Sequence, residues 1–66
     1  MEILVNEKKI TLPKHSNVQD LINYLRYQNQ RIAVEINESI IPKSNYSSFK
    51  LHDKDQIEII KAVGGG

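Results

Sequence analysis

Hydrophobic residues recur along this chain with two different spacings, which together predict five strands and one helix. Apolar residues at every second position are typical of a half-buried strand, and the spacing i, i+3, i+4, i+7 is typical of an amphipathic helix. Strand-like segments lie at residues 2–5, 9–12, 31–36, 39–41 and 56–61. The helical spacing joins Val18, Leu21, Ile22 and Leu25. We expect this helix to end near residues 27–28.

The residues between these segments predict where elements begin and end. Asn6 tolerates a positive φ and therefore favours a tight turn between the first two strands. Ser16 and Gln19 have the spacing of a capping box, which predicts the start of the helix. Tyr27 lies nearly opposite the apolar stripe, so we expect its ring to be exposed to solvent. The polar segment 43–50 predicts a loop whose two aromatic residues, Tyr46 and Phe49, hold it against the body.

The order of the predicted elements is β-β-α-β-β-loop-β, which favours an α+β fold of the β-grasp, or ubiquitin-like, type. A single helix can cover only one face of the sheet, and the sheet is expected to be mixed, with four to five strands. The first and last strands are the most apolar, so we expect them to pair at its centre. Residues 1–63 are predicted to form this one domain, and residues 64–66 a flexible C-terminal tail.

The face of the sheet away from the helix is predicted to be open. Period two along the first and last strands places Leu4, Glu58 and Ile60 on this face. Two aliphatic side chains on neighbouring strands, close to the tail, are a candidate partner-binding patch. We therefore predict a partner-binding face made of Leu4, Ile60 and Val63.

Composition excludes several kinds of chemistry. The chain has 66 residues, a net charge of +1 and no cysteine, so it has no thiolate zinc site and no thiol nucleophile. His15 and His52 stand alone in the sequence and are expected to be surface residues, with no metal bound. The scattered basic residues do not predict nucleic-acid binding. The apolar runs are too short to cross a membrane, and the start of the chain lacks the pattern of a signal peptide. We expect a cytoplasmic protein.

The last three residues are all glycine. Gly64, Gly65 and Gly66 have no β-carbon, so this tail is thin enough to enter a narrow channel, and Gly66 carries the terminal carboxylate. The alternative is an ordinary frayed chain end. Because no catalytic set of side chains is evident elsewhere, we predict no catalytic residue, and the Gly66 carboxylate is the best candidate for a reacting group.

Six stretches of the chain resemble the ubiquitin-like sulfur carriers, and most closely the thiamine-biosynthesis sulfur carrier family. They are ILVN at 3–6, VQDLI at 18–22, IAVEIN at 32–37, IIPK at 40–43, LHDKDQIEII at 51–60 and VGGG at 63–66. The resemblance covers nearly the whole chain. The family often has Asn-Gly at the two turns where this chain has Asn6-Glu7 and Asn37-Glu38. It needs only a pair of glycines at the end, so Gly64 is expected to act as a spacer.

The resemblance implies a carrier cycle in which this chain is a co-substrate and not an enzyme. An adenylating, E1-like enzyme would use ATP and magnesium to activate the Gly66 carboxylate. A sulfur donor supplied by a cysteine desulfurase would then convert it to a thiocarboxylate for thiazole synthase. Gly64 and Gly65 would let the tail enter the partners' active sites. The chain itself would bind no cofactor.

Other functions remain compatible with the same residues. The small subunit of molybdopterin synthase uses the same tail chemistry but is typically longer. A ubiquitin-like protein modifier would transfer the Gly66 carbonyl to a lysine. A plain interaction module would make no use of the glycines, and would still function after Gly65 and Gly66 are deleted.

Overall fold

The computed structural model describes residues 1–62 and contains the predicted elements in the predicted order. The strands are β1 (Glu2–Val5), β2 (Lys8–Thr11), β3 (Ile32–Ile36), β4 (Ser39–Ile41) and β5 (Gln56–Lys61). The helix α1 spans Val18–Tyr24, and a short 3-10 helix spans Lys43–Asn45. Val63, Gly64, Gly65 and Gly66 lie outside the described residues, so the domain boundary at 63 and the predicted flexible tail stay predictions.

The five strands form one mixed sheet in the order β2-β1-β5-β3-β4. The first and last strands pair in parallel, with Leu4 opposite Gln56 and Val5 opposite Ile57. The other three pairings are antiparallel. The α+β, β-grasp prediction is therefore confirmed, and β5 is the central strand from which the tail continues.

Two turns of the same geometry join the neighbouring antiparallel strands. Asn6 and Glu7 have φ values of 50° and 69°, and Asn37 and Glu38 have φ values of 49° and 73°. Two successive positive φ values in a two-residue loop are the mark of a type I′ turn, which matches the twist of the flanking strands. Glutamate at the second position therefore adopts a left-handed conformation that is sterically unfavourable for a residue with a β-carbon, whereas glycine adopts it without this cost.

The predicted start of the helix is wrong by one residue. Asn17 is the N-cap, and it forms the capping box with Asp20, each side chain accepting a hydrogen bond from the other residue's backbone N–H. Ser16 is buried, and its hydroxyl donates to the Pro13 carbonyl at 2.7 Å. Asparagine and serine are almost equally good N-caps, so the sequence alone did not decide between them.

The helix also ends earlier than predicted, because Arg26 adopts a left-handed conformation with φ of 61°. The Tyr27 N–H donates to the Ile22 carbonyl and the Arg26 N–H donates to the Asn23 carbonyl. This pair of hydrogen bonds is the Schellman motif that terminates helices. Glycine usually occupies the left-handed position, so arginine there gave no signal in the sequence.

The core lies between α1 and one face of the sheet. The apolar residues of the helix stripe, Val18, Leu21 and Ile22, are buried, and Leu25 is partly buried against them. From the sheet, the core contains Ile3, Val5, Val34, Ile36, Ile41, Ile57 and Ile59. Tyr46 is buried and Phe49 is partly buried, so the prediction that these aromatics hold the loop against the body is confirmed.

Candidate functional site

The candidate site consists of the end of β5 and the sheet surface around it. The predicted reacting group at Gly66, the entry residues Gly64 and Gly65, and the partner-binding Val63 lie outside the described residues and stay predictions. The structure shows the base from which this segment continues. After β5 ends at Lys61, the Ala62 N–H donates to the Arg31 carbonyl at 2.9 Å, so strand-like pairing continues up to Ala62.

Strand β5 is fixed by two asparagine side chains, one from each type I′ turn. Asn6 accepts a hydrogen bond from the Ile59 N–H at 2.8 Å and donates to the Ile59 carbonyl at 3.1 Å. Asn37 accepts from the Gln56 N–H at 3.0 Å and donates to Asp55 at 3.1 Å. Beyond the ends of β1 and β3, each asparagine side chain forms hydrogen bonds with the β5 segment that the backbone of a longer strand would otherwise form. The strand that carries the tail is thus hydrogen-bonded on both sides.

The prediction that Tyr27 is solvent-exposed is wrong. Its ring is partly buried against the core, and the Lys61 ammonium lies 4.2 Å from the ring centroid. An ammonium at this distance over an aromatic face is attracted to the ring's negative potential. The early helix end moves Tyr27 off the helical register, which is why the helical wheel misplaced it. The contact ties the last residue of β5 to the end of the helix.

Leu4 and Ile60 do lie on the open face, but not side by side. Leu4 is partly buried and Ile60 is 51% exposed. The register places Leu4 opposite Gln56, four residues before Ile60 on β5, which separates the two by about 13 Å at the rise of a strand. Only Ile60 is near the tail. The two residues were predicted to form one patch close to the tail, and that arrangement is wrong because the parallel register sets their separation.

A second apolar side chain lies nearer to Ile60 and was missed in the sequence. Ile40 is 73% exposed at the centre of β4. On β3, Ala33 is opposite Ile60, and Glu35, two residues further on, is opposite Ile40. Ala33, Ile40 and Ile60 therefore lie on one diagonal of the open face, which we call the tail-end patch; Ile40 is two strands across and two residues along from Ile60, about 12 Å away. Neighbouring residues of a strand point to opposite faces, so placing Ile41 in the core would have placed Ile40 on the open face.

The part of the open face around Leu4 has a different character. It forms a shallow depression of about 630 Å³ between the two type I′ turns. Four glutamates line it: Glu7, Glu35, Glu38 and Glu58. Glu35 and Glu58 lie directly opposite each other on β3 and β5, and like charges so placed repel. The acidic residues thus extend from Leu4 to the row that Glu58 and Glu35 share with Ile40, and Ile60 lies beyond them towards the tail.

Comparison with known proteins identifies the family. The family model described as the ThiS family matches residues 1–66. The chain belongs to the ThiS family. The sulfur carrier protein ThiS of Bacillus subtilis (strain 168) is 38% identical over 63 residues, covering 94% of this chain and 96% of that protein. A crystal structure of the thiamine biosynthesis protein ThiS from Geobacter metallireducens superposes with a TM-score of 0.84 at 28% identity and covers all of both chains.

The family also has larger relatives. A thiazole synthase of Paramagnetospirillum magneticum (strain ATCC 700264 / AMB-1) is 32% identical over 66 residues, which is all of this chain but 20% of that protein. A ThiS-like segment is therefore part of that longer protein. As a ThiS-family member, this chain is a small sulfur carrier for thiamine synthesis and not an enzyme.

Side chains outside the open face bear on other kinds of site. Among residues 1–62, no group of three or more His, Cys, Asp or Glu is placed to hold a metal ion. No helix in this part of the chain is long and apolar enough to cross a membrane. His15 and His52 are exposed, as predicted. Burial raises the pKa of the Tyr46 hydroxyl, but this residue lies in the loop after the 3-10 helix, away from β5 in the sequence.

Proposed function

We propose that this chain carries sulfur on its C-terminal glycine for formation of the thiazole ring of thiamine. The observation that supports this proposal most strongly is that the ThiS family model matches the chain over residues 1–66, a range that includes the three final glycines. In this proposal the Gly66 carboxylate is the only reacting group of the chain. Gly64 and Gly65 pass through a narrow channel that a side chain would block.

The chemistry follows from the weakness of a carboxylate as an electrophile. The adenylating enzyme joins the Gly66 carboxylate to the α-phosphate of ATP with the help of magnesium, and pyrophosphate leaves. A persulfide supplied by a cysteine desulfurase then attacks the acyl carbon with its outer sulfur, and AMP leaves with its bonding electrons, which gives an acyl disulfide. An added thiol attacks the inner sulfur of this disulfide, so that the S–S bond is reduced as the thiol is oxidised and the acyl sulfur is released. The product is a terminal thiocarboxylate. Because the chain has no cysteine, the sulfur is held by this carbonyl carbon and by no thiol of the chain.

Thiazole synthase is the proposed recipient of the sulfur. The support is the Paramagnetospirillum magneticum protein, in which a segment similar to this whole chain belongs to a thiazole synthase. Segments that occur in one polypeptide in one organism commonly act together when they are separate. The adenylating enzyme and the desulfurase-derived donor are proposed from the chemistry alone. The cytoplasmic location expected from the sequence stays a prediction.

The partner-binding face is proposed to be the open face of the sheet. Its tail-end patch presents two exposed isoleucines: Ile60 on β5, which delivers the tail, and Ile40 on β4, two strands away. Val63 follows β5 in sequence. Leu4 lies among the acidic residues and would contact a different part of the partner. Exposed apolar side chains on the face that carries the tail strand are suited to bind the enzyme that must receive the tail.

Intact mass spectrometry tests the carrier function. After incubation with ATP, magnesium, an added thiol, a cysteine desulfurase with its substrate and the adenylating enzyme, the chain should gain about 16 Da, because one oxygen is replaced by sulfur. A chemically synthesised chain ending in a Gly66 amide is the matched control and should gain nothing. Deletion of Gly65 and Gly66 should also abolish the gain. An unchanged mass for the native chain with a competent enzyme would refute the proposal.

A further inference from the structure

The backbone of β5 alternates between its two neighbours. The Asn37 N–H donates to the Gln56 carbonyl at 2.8 Å, and the Ala62 N–H donates to the Arg31 carbonyl at 2.9 Å. In an antiparallel pair, hydrogen-bonded positions alternate with positions that face the other way. With the register of β3 and β5, the even residues of β5 point their N–H and C=O groups at β3. The odd residues Ile57, Ile59 and Lys61 point theirs to the side of β1.

Strand β1 is too short to pair with all three of these odd residues. The Asn6 N–H donates to the Ile57 carbonyl at 2.9 Å, and the Asn6 side chain bonds both backbone groups of Ile59. Glu7, with φ of 69°, then turns the chain back into β2. Among residues 1–62, the pairing of β1 with β5 ends at Ile57 and the Asn6 side chain reaches Ile59, which leaves the Lys61 N–H and C=O beyond both, at a gap in the sheet. Lys61 is an exposed residue, and the hydrogen bonds among residues 1–62 include none to its N–H or C=O on this side.

We propose that this gap, which we call the Lys61 edge, accepts an extended segment of the adenylating enzyme as an added strand. The inference rests on the proposed function. When the residues after Ala62 enter the active site of the adenylating enzyme, the backbone of that enzyme passes alongside β5. Addition of a strand to an open sheet edge is a common mode of protein recognition, in which main-chain hydrogen bonds supply affinity. The Lys61 N–H and C=O supply one donor and one acceptor for such a strand.

The side chains around the Lys61 edge fit an apolar segment. Ile60 presents its half-exposed side chain on the open face. On the helix side, the partly buried Tyr27 ring lies under the Lys61 ammonium. Successive side chains of an added strand point to opposite faces, so one would contact Ile60 and the next would lie towards Tyr27.

A second copy of this chain is a poor occupant of the same edge. Pairing of two Lys61 edges about a two-fold axis would bring two lysines of equal charge together, and a lysine at an open strand edge is a known protection against self-association.

Replacement of a single amide by an ester tests the proposal, since a 66-residue chain is accessible to chemical synthesis. An ester between Ile60 and Lys61 removes the Lys61 N–H and makes the Ile60 carbonyl, which faces β3, a weaker acceptor. The matched control is an ester between Lys8 and Lys9; it makes the Lys8 carbonyl, which faces β1, weaker in the same way. Lys9 is an exposed lysine opposite Leu4 on the outer strand β2. The Leu12 N–H donates to the Met1 carbonyl, so the hydrogen-bonded pairs between β1 and β2 are Ile3 with Ile10 and Val5 with Lys8. Lys9 lies between these positions, and its N–H therefore points away from β1 to solvent.

Binding to the adenylating enzyme should weaken roughly 3- to 10-fold for the Lys61 ester, the range expected for one hydrogen bond, and stay unchanged for the Lys9 ester. Equal binding of both esters and the native chain would overturn the proposal. Lys61→Pro and Lys9→Pro provide an independent pair, since proline removes the same N–H groups and is tolerated where the N–H faces solvent. We expect only Lys61→Pro to bind more weakly, and by more than the ester because its ring also obstructs an added strand.

Amide hydrogen exchange gives a direct readout. In the free chain the Lys61 amide should exchange fast while those of Ile60 and Ala62 are protected; in the complex the Lys61 amide should slow at least about tenfold, as a new hydrogen bond requires. A Lys61 amide that stays fast in a complex still yielding the thiocarboxylate would refute the added strand and leave the carrier function intact. Absence of both complex and thiocarboxylate would refute the carrier function, and the added strand with it.

Discussion

The hydrogen bonds of Asn6 allow a quantitative prediction about the central strand. Asn6 holds both backbone groups of Ile59 at 2.8 and 3.1 Å and sits at φ of 50°. Asn6→Gly removes both hydrogen bonds but keeps a residue that adopts this φ freely. At about 0.5–1.5 kcal/mol for each hydrogen bond, the free energy of unfolding should fall by about 1–3 kcal/mol.

Asn6→Ala should cost more, because alanine must also adopt a left-handed conformation. That conformation costs about 1–2 kcal/mol for a residue with a β-carbon, so the total loss is about 2–5 kcal/mol. A chain of this size is expected to have a total stability of roughly 3–10 kcal/mol. The alanine variant should therefore have the lowest urea midpoint, and the glycine variant should lie between it and the native chain.

Urea unfolding followed by far-ultraviolet circular dichroism measures both losses, provided that the dependence on urea concentration has the same slope for all variants. Asn29→Gly is the matched control, since Asn29 is exposed and its side chain makes no hydrogen bond to the residues the structure describes. The reasoning is refuted if Asn6→Gly and Asn29→Gly lose stability equally, or if Asn6→Ala is no less stable than Asn6→Gly.

Three further predictions follow from single residues. Glu7→Gly and Glu38→Gly should each raise the melting temperature by a few degrees, because glycine removes the cost of a positive φ that exceeds its own entropic cost of about 0.5–1 kcal/mol; an unchanged or lower value in calorimetry would contradict this. Leu21→Ala, which empties a fully buried position, should cost about 2–5 kcal/mol in urea unfolding, whereas Tyr24→Ala at a position 59% exposed should cost much less. Because burial raises the pKa of Tyr46, the hydroxyl of the unfolded chain loses its proton first as the pH rises. The free energy of unfolding should therefore keep its full value below about pH 10 and decrease above it. Tyr46→Phe should show a smaller decrease between pH 9 and 11, and a pH profile identical to that of the native chain would refute the assignment.

The sequence predicted what depends on local spacing. Alternation along Gln56–Lys61 and the i, i+3, i+4, i+7 spacing of the helix depend on neighbours within a few residues, and both were found where predicted. The turns at Asn6 and Asn37 were also predicted, since asparagine readily adopts a positive φ. The end of the helix was not, because Arg26 is an unusual residue for the left-handed position that stops it.

The arrangement of the candidate site required contacts between distant parts of the chain. Leu4 and Ile60 belong to strands more than fifty residues apart, and only the parallel register shows that about 13 Å separates them. Ile40 and Ile60 share the open face, and their separation follows from the position of β3 between β4 and β5. The pairing of the Asn6 side chain with Ile59 depends on where β1 stops against β5, and that cannot be found from either segment alone.

The sequence by itself determined the element order, the buried and open faces of most strands, and the resemblance to a sulfur carrier family that ends in glycine. These follow from side-chain hydrophobicity, turn chemistry and motifs, each contained in a short stretch. The tertiary structure alone decided which exposed side chains are neighbours and where β5 loses its partner strand. Register sets both, because a shift of strands along each other changes every cross-strand contact and leaves each strand's own pattern the same.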